Sequence, residues 1–327
     1  MPERFPVAAS LDELLAGAKA HAPLSRLDSL SGATFSQVEI DGRPHVVKHL
    51  SEESDWVMRA TGDTVFRPLL MWRSGLYDAL PGCIDPVVVG VAYDQTSRQA
   101  SVLMRDITEW LVPEGDAGLT AAAHAQFLDH MAQLHKTFWG WTDDVGLCTS
   151  AQRWTVLSPR TAAVEAARGT RDPVPLALPG GWAALQDTVP EAWKVAVALA
   201  DDPTPLVAAL AELPRTLVHG DWKGGNLGLL PEGRTALVDW AFPGEECPLA
   251  DLCWYLAVNC DRLPESKDDA VRRYRTALES YGISTTGWWD DALALSQLGT
   301  FVQMGWSKSG DELLWWADRA LAAAAQL

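Results

Sequence analysis

The pattern of apolar and polar residues divides the chain into a strand-rich first third and a helix-rich remainder. Apolar residues alternate with polar ones from Phe35 to Ile40, Asp41-Gly42 is a strong hairpin turn, and a return strand follows at residues 45–50. Further strands are predicted at residues 86–93 and 100–104. Helices are predicted at residues 11–15, 51–61, 67–80, 120–138, 181–200, 205–213, 249–258, 265–281, 287–306 and 309–325, whereas residues 140–178 read as irregular. The pattern predicts an α+β protein.

A segment rich in proline and glycine follows the last predicted strand, at residues 113–118. Such composition is typical of a linker between two packed units. We therefore expect residues 1–105 to form an N-terminal lobe and residues 106–118 a linker. Residues 119–327 are expected to form a helical C-terminal lobe that carries the catalytic loop and the acceptor pocket.

Two short apolar segments each end in carboxylate or amide side chains: LVHGDWKGGN at residues 217–226 and ALVDW at residues 236–240. Two buried strands ending at one cleft would bring Asp221, Asn226 and Asp239 together, as phosphoryl transfer from a metal–nucleotide requires. Asp221 would accept the proton of a substrate hydroxyl. Asn226 and Asp239 would offer the oxygen ligands that Mg²⁺ prefers.

The N-terminal part has the layout of a nucleotide-covering lobe, with a Ser31-Gly32 loop, a hairpin, and Lys48 on the returning strand. Lys48 would reach the α- and β-phosphates as a point charge, or would lie in solvent on a strand face. Glu53 is predicted as its acidic partner; the alternative is a solvated helix N-terminus. Lys223, in the loop of Asp221, would stabilise the transferred phosphoryl group or lie in solvent.

The linker would add contacts to the base of a nucleotide. Its backbone N–H and C=O groups can hydrogen-bond an adenine edge, and Leu103 and Met104 would supply apolar walls. The alternative is a plain connection between the lobes.

The composition narrows the classes of partner. The chain has 327 residues, 48% of them hydrophobic, which is enough for a large core. A net charge of −17 argues against nucleic acid and an anionic membrane surface as binding partners. The acidic residues either keep the protein soluble or form a pocket for a cationic substrate. Five cysteines without a C-x-x-C pair predict free thiols in a reducing cytoplasm, and Cys247, Cys253 and Cys260, in an apolar helical stretch, are expected to be buried. No signal region is visible, and no apolar run approaches the roughly twenty residues of a membrane span.

The region after Asp239 is expected to form the acceptor pocket, because a nucleotide would occupy the N-terminal lobe and the linker. We predict that Asp261, Trp288, Asp311 and Trp315 line this pocket. Sugar or aminocyclitol rings stack on tryptophan, and their amines and hydroxyls meet carboxylates. The alternative is that the tryptophans are core residues and the acids cap helices.

The string HGDWKGGN at residues 219–226, followed by VDW at 238–240 and DL at 251–252, resembles the aminoglycoside phosphotransferase/choline kinase-type small-molecule kinases. Residues 102–106 (VLMRD) resemble the family's strand and hinge, which adds Asp106 to the expected nucleotide-binding residues. The resemblance implies a two-lobed, protein-kinase-like α+β fold with a small, mainly antiparallel N-terminal sheet and a large helical lobe. It implies Asp221 as catalytic base, Asn226 and Asp239 as metal ligands, and ATP or GTP with Mg²⁺. The chain departs from the family pattern in its single-glycine loop and in lacking an obvious partner for Lys48.

These features predict a kinase that transfers the γ-phosphoryl group of ATP or GTP to a hydroxyl of a sugar, aminoglycoside or similar hydroxylated natural product, cationic ones included. The alternative is a catalytically inactive, nucleotide-binding kinase-like protein. A protein kinase is disfavoured, because the segment between Asp239 and Asp251 is too short for a long activation loop. We expect a cytoplasmic monomer or weak dimer, serving antibiotic resistance or metabolism.

Overall fold

The N-terminal lobe is organised by one antiparallel sheet. The computed structural model describes residues 6–19, 21–24, 30–113, 115 and 117–327, so residues 29, 114 and 116 of the predicted phosphate loop and linker lie outside it. The sheet strands are β1 (His21–Leu24), β2 (Thr34–Ile40), β3 (Arg43–Leu50), β5 (Val88–Asp94) and β6 (Gln99–Arg105), while β4 (Ile84–Asp85) pairs elsewhere. Their order is β1-β2-β3-β6-β5, with every pair antiparallel. The predicted small antiparallel sheet is confirmed.

The hairpin between β2 and β3 follows from its turn residues. Asp41 and Gly42 have φ values of 50° and 71°, and Ile40 pairs directly with Arg43. Positive φ at both central positions matches the right-handed twist of the flanking strands, which is why Asp-Gly is favoured there. The resulting register places Lys48 opposite Phe35 on one side and Val102 on the other.

Three short helices accompany the sheet: α1 (Leu11–Leu14), α2 (Trp56–Thr61) and α3 (Arg67–Ser74). The prediction of a helix over residues 51–61 was wrong at its start, because Asp55 caps α2 by accepting hydrogen bonds from the N–H groups of Val57 and Met58. The predicted helix 67–80 was too long, because Gly75 ends α3 in the left-handed conformation.

Ten helices form the C-terminal lobe within the described part of the chain. They are α4 (Ala121–Thr137), α5 (Ser150–Thr155), α6 (Pro159–Ala167), α7 (Pro173–Thr188), α8 (Pro190–Asp201), α9 (Thr204–Ala211), α10 (Leu249–Val258), α11 (Lys267–Ser280), α12 (Trp289–Met304) and α13 (Gly310–Ala324). The largest apolar core runs through this lobe, with Phe127, Leu134, Tyr255, Tyr274 and Trp316 fully buried or nearly so. The predicted helical lobe is therefore confirmed.

The prediction of an irregular segment over residues 140–178 was wrong, because α5, α6 and the start of α7 lie there. Thr149 and Ser158 cap α5 and α6 through their side chains. Pro159 and Pro173 stand at the first helical positions, where the missing N–H costs nothing. The single helix predicted over residues 181–200 is two helices, and the second begins at Pro190.

Two small sheets lie beside the linker. Strand β7 (Thr216–Val218) pairs antiparallel with β10 (Gly244–Glu246), and β8 (Leu227–Leu229) pairs antiparallel with β9 (Thr235–Leu237). Strand β4 joins β9 in parallel. The linker follows the same hairpin, because the N–H of Val112 donates to the carbonyl of Leu227 at 2.8 Å.

All five cysteines are free, and Cys260 is half-buried where a buried thiol was expected. Among the described residues, no helix has both the length and the apolar character that crossing a membrane requires.

Candidate active site

One buried carboxylate holds the loop that follows β7. Asp251, in the first turn of α10, accepts hydrogen bonds from the N–H groups of His219 at 2.8 Å and Gly220 at 2.7 Å. The Nε2 of His135 donates to the same carboxylate at 3.2 Å. Burial raises the pKa of Asp251, but the hydrogen bond and charge of His135 outweigh it, so the pKa lies below its usual value. Asp251 thus fixes the backbone that enters the site.

His219 connects the two sequence motifs. Its Nδ1 accepts the N–H of Asp221 at 3.2 Å, so its Nε2 carries the proton donated to the carbonyl of Val238 at 3.0 Å. Burial lowers the pKa of His219, which keeps the ring neutral in this role. Its ring also meets that of Trp240 edge-on, with centroids 4.6 Å apart. This positioning role was missed from the sequence, although His219 stands two residues before Asp221.

Three donors surround the carboxylate of Asp221. Its Oδ1 accepts from the indole N–H of Trp254 at 2.9 Å. Its Oδ2 accepts from the amide of Asn226 at 2.8 Å and lies 2.9 Å from the ammonium of Lys223. The structure therefore brings Asp221, Asn226 and Lys223 into one cluster and adds Trp254, which lies one helical turn after Asp251.

Lys48 and Asp239 form an ion pair across the cleft, with 2.7 Å between Nζ and Oδ1. The side chain of Lys48 is only 11% exposed, which argues against a solvent-facing strand lysine. Burial raises the pKa of Asp239, but the charge and hydrogen bond of Lys48 prevail and hold it below its usual value. Asp239 has a φ of 62°, a conformation that non-glycine residues rarely adopt and that is often found at functional sites.

The prediction of Glu53 as the acidic partner of Lys48 is corrected, because Lys48 pairs with Asp239 and the buried carboxylate of the segment around Glu53 is Asp55. Glu53 is exposed and borders a separate surface depression, whereas Asp55 is 3% exposed. Burial raises the pKa of Asp55, and the nearby charge of Lys48 partly offsets this. The cap of α2 explains the difference, because the helix starts after Asp55 and leaves Glu53 in the preceding turn.

Asn226 and Asp239 offer oxygen atoms that fit a divalent cation. The amide nitrogen of Asn226 is used by Asp221, which leaves its carbonyl oxygen for a metal. Asp239 accepts the hydrogen bond of Lys48 through Oδ1, which leaves its Oδ2 for a metal. In the described part of the chain, no group of three or more His, Cys, Asp or Glu residues is placed to hold a metal. Mg²⁺ is often held by one or two protein oxygens together with phosphate and water, so this donor set suits it.

A cleft of about 530 Å³ opens between the sheet and the helical lobe. Five of the predicted cofactor-binding and catalytic residues line it: Ser31, Lys48, Met104, Asp221 and Lys223. The two predicted metal ligands, Asn226 and Asp239, line the same cleft. Val46 on β3 and Val238 before Asp239 add apolar surface near the linker.

Gly32 and Asp106 do not line the cleft but shape its edges. Gly32 has a φ of +87°, and a Cβ there would lie 2.2 Å from the carbonyl oxygen of Ser54, so only glycine fits. The prediction of Asp106 as a cofactor contact is corrected. Its carboxylate accepts from the N–H and the hydroxyl of Thr108, at 3.0 and 2.6 Å, and so caps the turn that begins the linker.

The four predicted acceptor residues lie outside the cleft, and this prediction is corrected. Asp261 and Asp311 are exposed, in a turn after α10 and at the start of α13. Trp288 packs against other tryptophan rings, and Trp315 stacks under the guanidinium of Arg319 at 3.6 Å. Trp288 and Trp315 pack against the core of the helical lobe, as the alternative for the tryptophans proposed, whereas among the described residues no side-chain cap hydrogen bond is made at the helix starts beside the two exposed acids.

Other residues line the cleft beside Asp221 in their place: Val156, Leu157, Val174, Phe242, Trp254, Val258, Met304 and Trp306. They come from the α5–α6 connection, α7, the segment between β9 and β10, α10, and the end of α12 with the turn after it. Three of them fall in the segment that the sequence pattern marked as irregular. The local caps at Thr149 and Ser158 could have revealed those helices, but no local signal tells which of their faces meets the cleft.

This arrangement, an antiparallel sheet over a helical lobe with the charged cluster between them, defines a two-lobed kinase-like fold. Residues 85–283 match the APH model, described as the phosphotransferase enzyme family. Because the match covers more than half of the chain, the protein belongs to this family.

Solved structures share the fold at low sequence identity. Choline kinase LicA from Streptococcus pneumoniae aligns with a TM-score of 0.52 and 12% identity, over 97% of this chain and 96% of that one. LicA in complex with AMP aligns with a TM-score of 0.51 and 12% identity, over 94% and 92% of the two chains. A spectinomycin phosphotransferase aligns with a TM-score of 0.48 and 13% identity, over 95% and 93%. No match was found among curated proteins.

Proposed function

We propose that the protein is a small-molecule kinase that transfers the γ-phosphoryl group of ATP, or of GTP, to a hydroxyl group of a small acceptor. The observation that carries this proposal is that two bonded pairs, Lys48 with Asp239 and Asn226 with Asp221, line one cleft. Family membership supports phosphoryl transfer, and the structure of LicA with AMP supports a nucleotide as one substrate.

The nucleotide would lie between the sheet and the hairpin of β8 and β9, which joins Asn226 to Asp239 and is called the catalytic hairpin below. Val46 and Met104 above and Val238 below would contact the base, and the linker backbone would hydrogen-bond its edge. Lys48 would meet the phosphates, with Asp55 as the buried acid that remains beside it. Residues 1–105, 106–118 and 119–327 would then act as covering lobe, hinge and catalytic lobe.

Asp221 would orient the acceptor hydroxyl and take its proton. Trp254 and Asn226 hold the carboxylate in place, so it need not reorganise when the hydroxyl attacks. Lys223, 2.9 Å from Asp221, would turn toward the transferred group and offset its developing negative charge. Asn226 and Asp239 would hold Mg²⁺, which would neutralise charge on the phosphate oxygens.

The acceptor is a small hydroxylated compound, and a role in antibiotic resistance follows only if that compound is an antibiotic. Free thiols, three of them buried, suit a reducing compartment such as the cytoplasm. We propose a protein that works there as a monomer or weak dimer.

The experiment is acceptor-dependent release of ADP by wild type and by Asp221→Asn, with Asp311→Asn as an exposed acidic control. Loss of the base should lower turnover by about a hundredfold or more, because general base catalysis contributes on that scale. Binding of Mg-ATP, measured by calorimetry, should survive in both variants.

Turnover of Asp221→Asn within about tenfold of wild type would contradict the assignment of Asp221. Tight binding of Mg-ATP without ADP release in the presence of any acceptor would instead favour an inactive, nucleotide-binding protein.

A further inference from the structure

The wall that the helical lobe contributes to the cleft is apolar. Six side chains form most of it on the helical lobe: Val156, Leu157, Val174, Phe242, Met304 and Trp306. Its position is fixed by close packing, because a Cβ on Gly181 of α7 would lie 2.4 Å from the carbonyl oxygen of Trp306. A ligand that reaches Asp221 would therefore lie on aliphatic and aromatic surface.

The polar atoms near this wall already have partners. The indole N–H of Trp306 donates to the carbonyl of Gln303 at 2.8 Å, and that of Trp254 donates to Asp221. The hydroxyl of Ser307 donates to the carbonyl of Met304 at 2.8 Å. The tryptophans therefore present ring faces to a ligand, and the wall offers it few hydrogen bonds.

The acidity of the chain is not gathered in the cleft. Among the described residues, Asp221 and Asp239 are the carboxylates that line it, and each is paired with a lysine. Asp290, Asp291 and Asp311 are exposed elsewhere. A ligand with several ammonium groups would lose hydration in this cleft without gaining partners for its charges, which is costly.

We infer that the acceptor is a neutral alcohol whose hydroxyl is carried by a largely apolar ring or chain, an inference that rests on the proposed kinase function. The hydroxyl oxygen would form a bond to the γ-phosphorus as the bond from that phosphorus to the bridging oxygen of ADP breaks. The hydroxyl proton passes to Asp221. The products are a phosphate monoester and ADP, and the apolar skeleton rests on the wall described above.

The test compares two acceptor classes on the full-length protein with Mg-ATP. Neutral alcohols on apolar skeletons, such as borneol, menthol and a hydroxylated macrolactone, are set against choline and hygromycin B. We expect kcat/KM for ADP release to be about tenfold or more higher with the best neutral alcohol, since one polar mismatch in an apolar pocket has that scale. Calorimetry with Mg-ADP present should give the same order of affinities without turnover.

Two matched variants locate the effect at the wall. Val174→Asp puts a carboxylate into the first turn of α7, where the helix dipole tolerates it, and faces the cleft. Leu176→Asp makes the same change two residues on, where the side chain is 59% exposed. Val174→Asp should weaken binding of the neutral alcohol by about tenfold and leave KM for ATP unchanged, whereas Leu176→Asp should change neither.

The inference is overturned if choline or hygromycin B binds more tightly than every neutral alcohol, if no neutral alcohol binds, or if the two variants behave alike. Rapid, Asp221-dependent phosphorylation of hygromycin B would support the kinase function but would refute the inference that the acceptor is a neutral alcohol. Absence of Asp221-dependent turnover with every acceptor would remove the kinase function, and the binding measurements would still decide what the wall accepts.

Discussion

Replacing Asp251 by asparagine tests how the catalytic loop is held. The carboxylate accepts three hydrogen bonds, from the N–H groups of His219 and Gly220 and from His135. An asparagine can present oxygen to only one side, so its NH₂ group must face at least one N–H donor inside the core. The variant Asp251→Asn therefore loses a hydrogen bond and leaves buried donors unpaired.

The magnitude follows from those contacts. A hydrogen bond to a charged group contributes about 1.5–3 kcal/mol, and an unsatisfied buried donor costs about 1–3 kcal/mol. We expect Asp251→Asn to lower the free energy of unfolding by about 3–5 kcal/mol, a large part of the 5–15 kcal/mol typical of a folded protein. Because the backbone at Gly220 directly precedes Asp221, turnover should fall by about tenfold to a hundredfold as well.

Urea unfolding followed by tryptophan fluorescence measures the first effect, and ADP release measures the second. The control is Asp261→Asn, an exposed residue on the same part of the chain, which should stay within about 0.5 kcal/mol of wild type. A loss below about 1 kcal/mol for Asp251→Asn would refute the role given to these hydrogen bonds.

The same variant has a defined pH dependence. The folded-state pKa of Asp251 lies below its ordinary value of 3.8, so its ionised form stabilises the fold. That contribution is fully present above the unfolded-state pKa and is lost as the pH falls through the folded-state pKa. The stability difference between wild type and Asp251→Asn should therefore be constant near neutral pH and shrink in acid below about pH 4. A difference that grows on acidification would contradict the assigned charge state.

Two further substitutions test the packing around the site. Gly220→Ala should destabilise the protein by about 2–4 kcal/mol in urea unfolding. The reason is that Gly220 has a φ of +78° and that a Cβ there would lie 2.4 Å from the carbonyl oxygen of Phe242. Gly225→Ala, at a position with open space for a Cβ, is the control, and equal effects of the two variants would argue against the clash. Arg59→Ala should lower stability by about 3–5 kcal/mol, because it leaves Glu165, with its side chain 1% exposed, as an unpaired buried charge. The double variant Arg59→Met with Glu165→Leu should recover most of that loss in thermal melts, and failure to recover it would mean that the two lobes depend on the ion pair itself.

Local sequence signals were enough for four of the five sheet strands and for the charged cluster, whereas β1 was not predicted. The Asp41-Gly42 turn fixes the β2–β3 register, and that register brings Lys48 to the cleft. The strings around Asp221 and Asp239 each pair a short apolar run with a polar end, so their strands could be predicted together with their chemistry.

The remainder depended on contacts that no local pattern encodes. The choice between Glu53 and Asp55 turned on where one helix begins, which the hydrogen bonds of the cap decide. The helices capped by Thr149 and Ser158 were predicted as irregular structure, because cap residues and prolines are also typical of loops. The apolar wall containing Val174 is assembled from separate helices, so its members share a surface only after the lobe has packed.

The pairing of β4 with β9 limits how the two lobes can move. Asp85 of β4 takes ion pairs from Arg105 at 2.5 Å and from Arg234 at 2.8 Å, so this acid ties the end of β6 to the catalytic hairpin. At the other end of the linker, Val112 is bonded to Leu227. Since the hinge is anchored to the hairpin at both ends, opening for nucleotide exchange should proceed by bending of strands β1 and β2 at the edge of the sheet and not by swinging of the whole sheet. Amide hydrogens along β4, β9 and at Val112 should then exchange with solvent only on global unfolding, while those of β1 and β2 exchange through a faster local opening that bound nucleotide slows.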